Sequence, residues 1–198
     1  MARKREFDEV EVLDRAILLF LEKGFEAASI HDLKRVMGIS TSSMYEVFGD
    51  KRGTFLKALA RFCELEQARL SLMAQRSGTA IQLIDDMFDS LDDVLHTTPE
   101  NQGSLAFNTM VEFGTRDPHV TQVIFDHYFK IAGIIIDILR ADQSAAVVTT
   151  HFDADHLAHL ILCTLYGLAA VKRAQPTYPY TQPIKHLIHS LLESSPSA

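Results

Sequence analysis

The chain has 198 residues, 47% of them hydrophobic and 23% charged, with a formal net charge of −7. That is apolar material enough for one or two folded domains and too much for a disordered chain. Its two cysteines, Cys63 and Cys163, stand alone in apolar settings, which excludes a disulfide framework and a cysteine zinc site; a reducing cytoplasm is the expected compartment.

The N-terminus carries Arg3, Lys4 and Arg5 but no apolar run of the signal-peptide kind. The longest charge-free apolar run, Leu160–Val171, is shorter than the roughly 20 residues of a membrane span. Charge is unevenly spread. Residues 1–61 hold 11 Lys and Arg against 10 Asp and Glu, whereas residues 62–198 hold 8 against 16. An acidic total is therefore compatible with a polyanion partner, provided the basic groups of the first third converge on one surface.

Apolar residues recur at spacings of three and four throughout, and no segment alternates as a strand does, so the expected class is all-α with about nine helices. The first spans 8–23 and is stopped by Gly24. Ser29, with Asp32 in capping-box register, opens 30–37; Ser40 opens 41–48; Asp50 opens 51–76. Further helices are expected over 80–97, 104–115, 118–141, 153–174 and 183–193. Breaks fall at Thr98-Pro99, at Asp117-Pro118, in the Ser144–Phe152 stretch and in the Pro176–Pro183 loop.

The stretch "GISTSSMYEVFGDKR" (Gly38–Arg52) departs from this economy. A helix beginning Thr41-Ser42-Ser43 gives up ~0.5 kcal/mol per residue against Ala and has no acid in its first turn. The next helix begins Lys51-Arg52, two cations where the dipole disfavours them by about 0.3–1 kcal/mol each. Both features become favourable if an anion docks there: hydroxyls and backbone N–H groups of a helix start donate to phosphate or base edges, and cations neutralise phosphate. The alternative is an ordinary surface hairpin of two helices.

With "AILLFLEKGFEAASIHDLKRVMGISTSSMYEVFGDKRGTFLKAL", the segment from Phe7 to about Phe62 resembles the DNA-binding domain of the TetR family of bacterial transcription regulators. The resemblance rests on Ala16, Phe20, Gly24-Phe25, Ser29, Leu33, Gly38-Ile39-Ser40, Tyr45, Phe48 and Lys51. It implies a three-helix DNA-binding domain over residues 1–62, with the helix-turn-helix motif at 29–48, and an effector-binding and dimerisation domain over 63–198. Thr41, Ser42 and Ser43 would then face bases and nearby phosphates in the major groove, and Tyr45, Lys51 and Arg52 would meet the backbone. His31 would sit beside it. Ser29, Ser40 and Asp50 serve as helix caps. Arg3, Lys4 and Arg5 are either a phosphate-binding arm or a solubilising terminus. Leu33, Met37, Ile39, Met44 and Phe48 fall on the inward faces and are assigned to the core.

In the remainder, "GSLAFNTMVEFGTRDPHV" (Gly103–Val120) is similar to a segment of a TetR subgroup that has Gly-Cys-Leu at its start. Here Ser104 replaces the cysteine, so thiol sensing is not carried over, and both cysteines are expected in the core. A pocket for an unknown small-molecule effector is expected among Met87, Phe88, Phe107, Met110, Phe113 and Phe129, with plain core packing as the competing reading. Asn108 and Glu112 are either polar groups of that pocket or exposed. A homodimer interface is expected on the last two helices, through Cys163, Gly167, Ala170, Ile184, Leu187, Ile188 and Leu191.

The function this resemblance implies is a repressor released from a palindromic operator by a small-molecule effector. A competing reading takes "HFDADHLAH" (His151–His159) as a metal or catalytic cluster, since His156 and His159 lie one turn apart. Asp153 and Asp155 sit where a helix start favours acids, which explains them without metal. No phosphate-cradling glycine loop or nucleophile elbow is present, so no catalytic residue and no cofactor is expected.

Overall fold

The computed structural model describes residues 7–97, 103–175 and 177–193, with backbone alone for 92–97. Among the described residues there are nine helices and no strand. They are α1 (Glu9–Ala27), α2 (Ile30–Met37), α3 (Thr41–Phe48), α4 (Lys51–Ser77), α5 (Ala80–Thr97), α6 (Leu105–Phe113), α7 (Pro118–Ser144), α8 (Ala154–Ala174) and α9 (Thr181–Leu192). Each expected helix is present, with ends shifted by a few residues. The Arg3, Lys4 and Arg5 arm, the Thr98-Pro99 break and Pro176 lie outside the described residues.

Local chemistry sets the helix ends. Ser29 and Asp32 form the reciprocal capping box, Asp32 N–H donating to Ser29 Oγ at 3.0 Å and Ser29 N–H to Asp32 Oδ2 at 3.2 Å. Ser40 Oγ accepts from Ser43 N–H at 3.1 Å, and Asp50 Oδ1 from Gly53 N–H at 2.7 Å. Gly24, at φ 75°, interrupts α1 and lets its last residues turn. Gly53 answers a different constraint: a Cβ there would lie 2.2 Å from the Phe48 carbonyl oxygen, so the close approach of α4 to the end of α3 admits no side chain.

The described residues divide into two compact units. The first takes those up to Leu65 together with Ser104–Phe125, and so contains α1 to α3, the start of α4, α6 and the start of α7. Its core joins Ala16 and Phe20 of α1, Leu33 and Met37 of α2, Met44 and Phe48 of α3, Phe55 and Leu59 of α4, and Leu105 of α6. Cys63 is buried there. Each large side chain removed from water contributes roughly 1.5–3 kcal/mol, which makes this core the main stabiliser of the short helices α2 and α3.

In the second unit α5 lies against α8 and α9. Its core includes Leu83, Ile84 and Phe88 of α5, Ile135 and Leu139 of α7, Ala158, Ile161 and Leu162 of α8, and Leu192 of α9. The buried Asp142 carboxylate accepts from the Ala80 N–H at 2.6 Å, capping α5. Lys185 reaches Asp89 at 2.8 Å and Asp85 at 3.2 Å, tying α9 to α5. Among the described helices, α8 alone is long and apolar enough to cross a membrane; its Leu157, Ala158, Ile161, Leu162, Leu165 and Leu168 are buried in this unit's core. Its other face, with Leu160, Cys163, Gly167, Ala170 and Val171, is exposed. The expectation of a buried Cys163 is thus corrected: the cysteine lies on the stripe that points away from the core.

Hydrogen bonds from Ser29 and the ammonium of Lys23 hold the Asp32 carboxyl well below the usual carboxylate range. A carboxyl whose folded value lies below its unfolded value of about 3.9 contributes stability that is complete above that pH and fades as pH falls towards the folded value. Asp32→Asn is therefore expected to lower the urea midpoint at pH 7, with the gap from wild type narrowing steadily below about pH 4. A gap constant across the range would contradict this.

Candidate nucleic-acid interface

Between α2 and α3 the chain turns at Gly38, which adopts φ 68° and donates its N–H to Lys34 O at 3.1 Å, the usual glycine end of a helix. Ile39 is buried in the turn, and Leu33, Met37, Met44 and Phe48 face inward, as the sequence implied. Burial of that side leaves the opposite face of α3 outward. Ser42 and Tyr45 are exposed, Thr41 and Ser43 half-buried, and Tyr45 keeps 50% of its surface. Ser40 Oγ stands 2.9 Å from the hydroxyls of both Ser42 and Ser43, so the first turn of α3 is a small cluster of hydroxyls with no carboxylate among them. His31 is exposed in the first turn of α2.

The cations at the start of α4 have partners inside the chain. Lys51 Nζ donates to Glu26 O at 3.1 Å and stands 4.5 Å above the Phe25 ring centroid. Arg52 grips Asp117 in fork geometry, Nη2 to Oδ2 at 2.8 Å and Nε to Oδ2 at 3.1 Å. That guanidinium, and after it the Val120 N–H, holds the Asp117 carboxyl below its ordinary value. Much of the unfavourable charge at this helix start is thereby offset internally. Lys57 Nζ donates to Val47 O at 2.6 Å, placing a cation at the negative end of α3, and Arg61 holds Asp14 at 2.6 Å.

Several residues of this frame escaped the sequence reading. Glu112 of α6 accepts from the backbone N–H groups of Phe25 and Glu26 at 2.9 and 2.8 Å. Asp117 and Glu112 lie more than sixty residues from their partners, and no local pattern announces such pairs. Glu46 is exposed on α3, next to Tyr45, and could have been found from its register.

The six residues expected to line a pocket are spread over both units. Phe88 is fully buried in the second core and Met87 packs against it, while Phe129 is 58% exposed. Phe107, Met110 and Phe113 belong to the first unit, where Phe113 stacks on Phe55 at 5.4 Å between centroids. The Asn108 amide nitrogen is buried without a hydrogen-bond partner. On α9, Leu187 and Leu191 are exposed, whereas Ile188 is buried and Ile184 packs on the unit's own core.

Three of the His151–His159 side chains have local partners. Asp153 caps α8 through the Asp155 N–H at 2.8 Å, Asp155 pairs with Arg140, and His159 Nδ1 lies 2.8 Å from the Tyr128 hydroxyl. Burial, and then the neighbouring Cys163, push the Tyr128 phenol up to about 12. Among the described residues no group of three or more His, Cys, Asp or Glu side chains is arranged to hold a metal.

No family model matches the chain. It is 31% identical over 122 residues to the uncharacterised HTH-type transcriptional regulator YezE of Bacillus subtilis, a match covering 62% of this chain and 63% of YezE, less than two-thirds of that protein's length. It is 22% identical over 173 residues to the HTH-type transcriptional repressor ComR of Escherichia coli, covering 86% of this chain and 82% of ComR. In three dimensions it is similar to a cysteine variant of the TetR-family regulator CifR bound to a 26-bp operator duplex, with a TM-score of 0.79 and 22% identity over 98% of this chain and all of that one. In fold the chain is similar to TetR-family regulators, and in sequence to HTH-type transcriptional regulators.

Proposed function

We propose that the protein is a DNA-binding transcription regulator, a repressor that acts as a homodimer on a palindromic operator. The observation that carries this reading is the outward face of α3, where Thr41, Ser42, Ser43 and Tyr45 project from a helix fixed from behind by Met44 and Phe48. In the major groove the hydroxyls donate to base edges and phosphates, the Tyr45 phenol and the Lys51 ammonium hold the backbone, and His31 lies at the flank. Arg52, committed to Asp117, serves the frame instead. Likeness to a named repressor and to a regulator solved in complex with operator DNA supports the sign and the target.

The dimer reading rests on the exposed face of the second unit. Among the described residues, Cys163, Gly167 and Ala170 of α8, with Leu187 and Leu191 of α9, form an exposed face. A second copy of the same surface would bury them and supply the second α3 that a palindrome requires. Release follows if a small molecule binds one arrangement of the dimer better than the other; its differential affinity sets how far operator binding falls.

Selection from a random duplex library should enrich a palindrome. On the enriched duplex, fluorescence anisotropy across a salt series should show log K falling with log salt. Lys51→Ala is expected to reduce that slope by about one unit and Tyr45→Ala to weaken binding at every salt. No enrichment, together with no salt-dependent binding, would remove the reading. Leu187→Glu is expected to convert the dimer to monomer in sedimentation velocity while leaving the helical circular dichroism intact. A dimer that persists would contradict the assigned interface.

A further inference from the structure

Glu112 of α6 binds the backbone at the end of α1. Its two carboxylate oxygens take the N–H groups of consecutive residues, Phe25 and Glu26, at 2.9 and 2.8 Å. Gly24 permits that approach: a Cβ there would stand 3.0 Å from Glu112 Oε2 and 3.2 Å from Oε1, and its φ of 75° suits glycine. A carboxylate that accepts two backbone N–H bonds is held by charge-assisted hydrogen bonds in a defined orientation, so α6 and the end of α1 are fixed to each other at this point.

The same two residues hold Lys51. Glu26 O accepts from Lys51 Nζ at 3.1 Å, and the Phe25 ring lies under the ammonium at 4.5 Å. That ring packs at a tilt on both Phe55, at 4.9 Å, and Phe113, at 5.3 Å, and Phe113 follows Glu112 on α6. Helix α6 therefore grips residue 25 through its backbone and its side chain at once. From Glu112 to the ammonium there are only direct contacts, with the 25–26 turn as the single intermediate.

We infer that Glu112 is a positioning residue for DNA binding: by fixing Phe25 and Glu26 from α6, it sets where the Lys51 ammonium stands and so whether that cation meets a phosphate. This inference rests on the reading of Lys51 as a phosphate ligand, and its test separates the two.

The full-length protein, on the selected duplex, is measured by anisotropy across a salt series as wild type, Lys51→Ala, Glu112→Gln and the double variant. Glu112→Gln keeps the side-chain shape but turns an amide N–H towards a backbone N–H. Its salt slope is expected to fall by about one unit, as in Lys51→Ala, and the double variant should bind no more weakly than Lys51→Ala alone. A general loss of fold would instead add to the Lys51 effect and leave the slope of Glu112→Gln at the wild-type value; that result overturns the inference. If Glu112→Gln fails to fold by circular dichroism, Glu112→Asp, which keeps the charge and withdraws it by one methylene, reads the same slope against the same two outcomes. A wild-type slope in Lys51→Ala itself would show that Lys51 meets no phosphate and would remove the inference along with that part of the functional reading.

Discussion

The packing of Phe55 against three other aromatic rings fixes the first unit. Phe20 meets it edge-on at 5.0 Å, Phe25 at a tilt at 4.9 Å, and Phe113 in a parallel stack at 5.4 Å. Such pairs contribute about 0.5–1.5 kcal/mol each beyond the area they bury. More important is where the rings come from: Phe20 and Phe25 from α1, Phe55 from α4, Phe113 from α6. Three helices distant in sequence are brought to one point, and the starts of α4 and the outward face of α3 take their places from it. Helices as short as α2 and α3 would not persist alone in water, so their orientation is a property of this core.

Around that cluster the polar groups divide into those that hold the frame and those left for a partner. Arg52, Lys57 and Arg61 each have a close acceptor within the unit. Two cations at the start of α4 are therefore not in themselves a sign of DNA. The fork between Arg52 and Asp117 is partly exposed and contributes little net stability, but it answers the local electrostatic problem without a polyanion. What the fold does not answer internally is the first turn of α3. Its hydroxyls satisfy one another around Ser40, yet Ser42 and Tyr45 remain outward on a helix with no acidic residue at its positive end. The proposed nucleic-acid partner thus depends on α3 and Lys51, a narrower set than the whole Gly38–Arg52 stretch.

Short-range chemistry was legible in the sequence and long-range chemistry was not. The capping box at Ser29, the glycine turn at Gly38 and the inward set from Leu33 to Phe48 are encoded within a few residues, and each is present. Glu112 and Asp117 act on partners far along the chain, and nothing beside them in sequence marks either as a clamp. The demand for glycine at position 53 likewise comes from the approach of one helix end to another. On α8, apolar periodicity showed two faces but could not say which one meets the protein's own core. Cys163 consequently proved exposed, and on α9 Ile188 proved buried while Leu187 and Leu191 face outward. A stripe of apolar residues reads the same whether its cover is the same chain or another copy.

The central claim is that two copies of α3 enter successive major grooves of one duplex. Dimethyl sulfate protection tests it most directly, because guanine N7 is exposed in the major groove. On the selected duplex the account predicts two symmetry-related patches of protected guanines, centred about 10 bp or a multiple of that apart, and lost in Tyr45→Ala. Unprotected guanines on a duplex that the protein nonetheless binds, or a single patch without twofold symmetry, would contradict it.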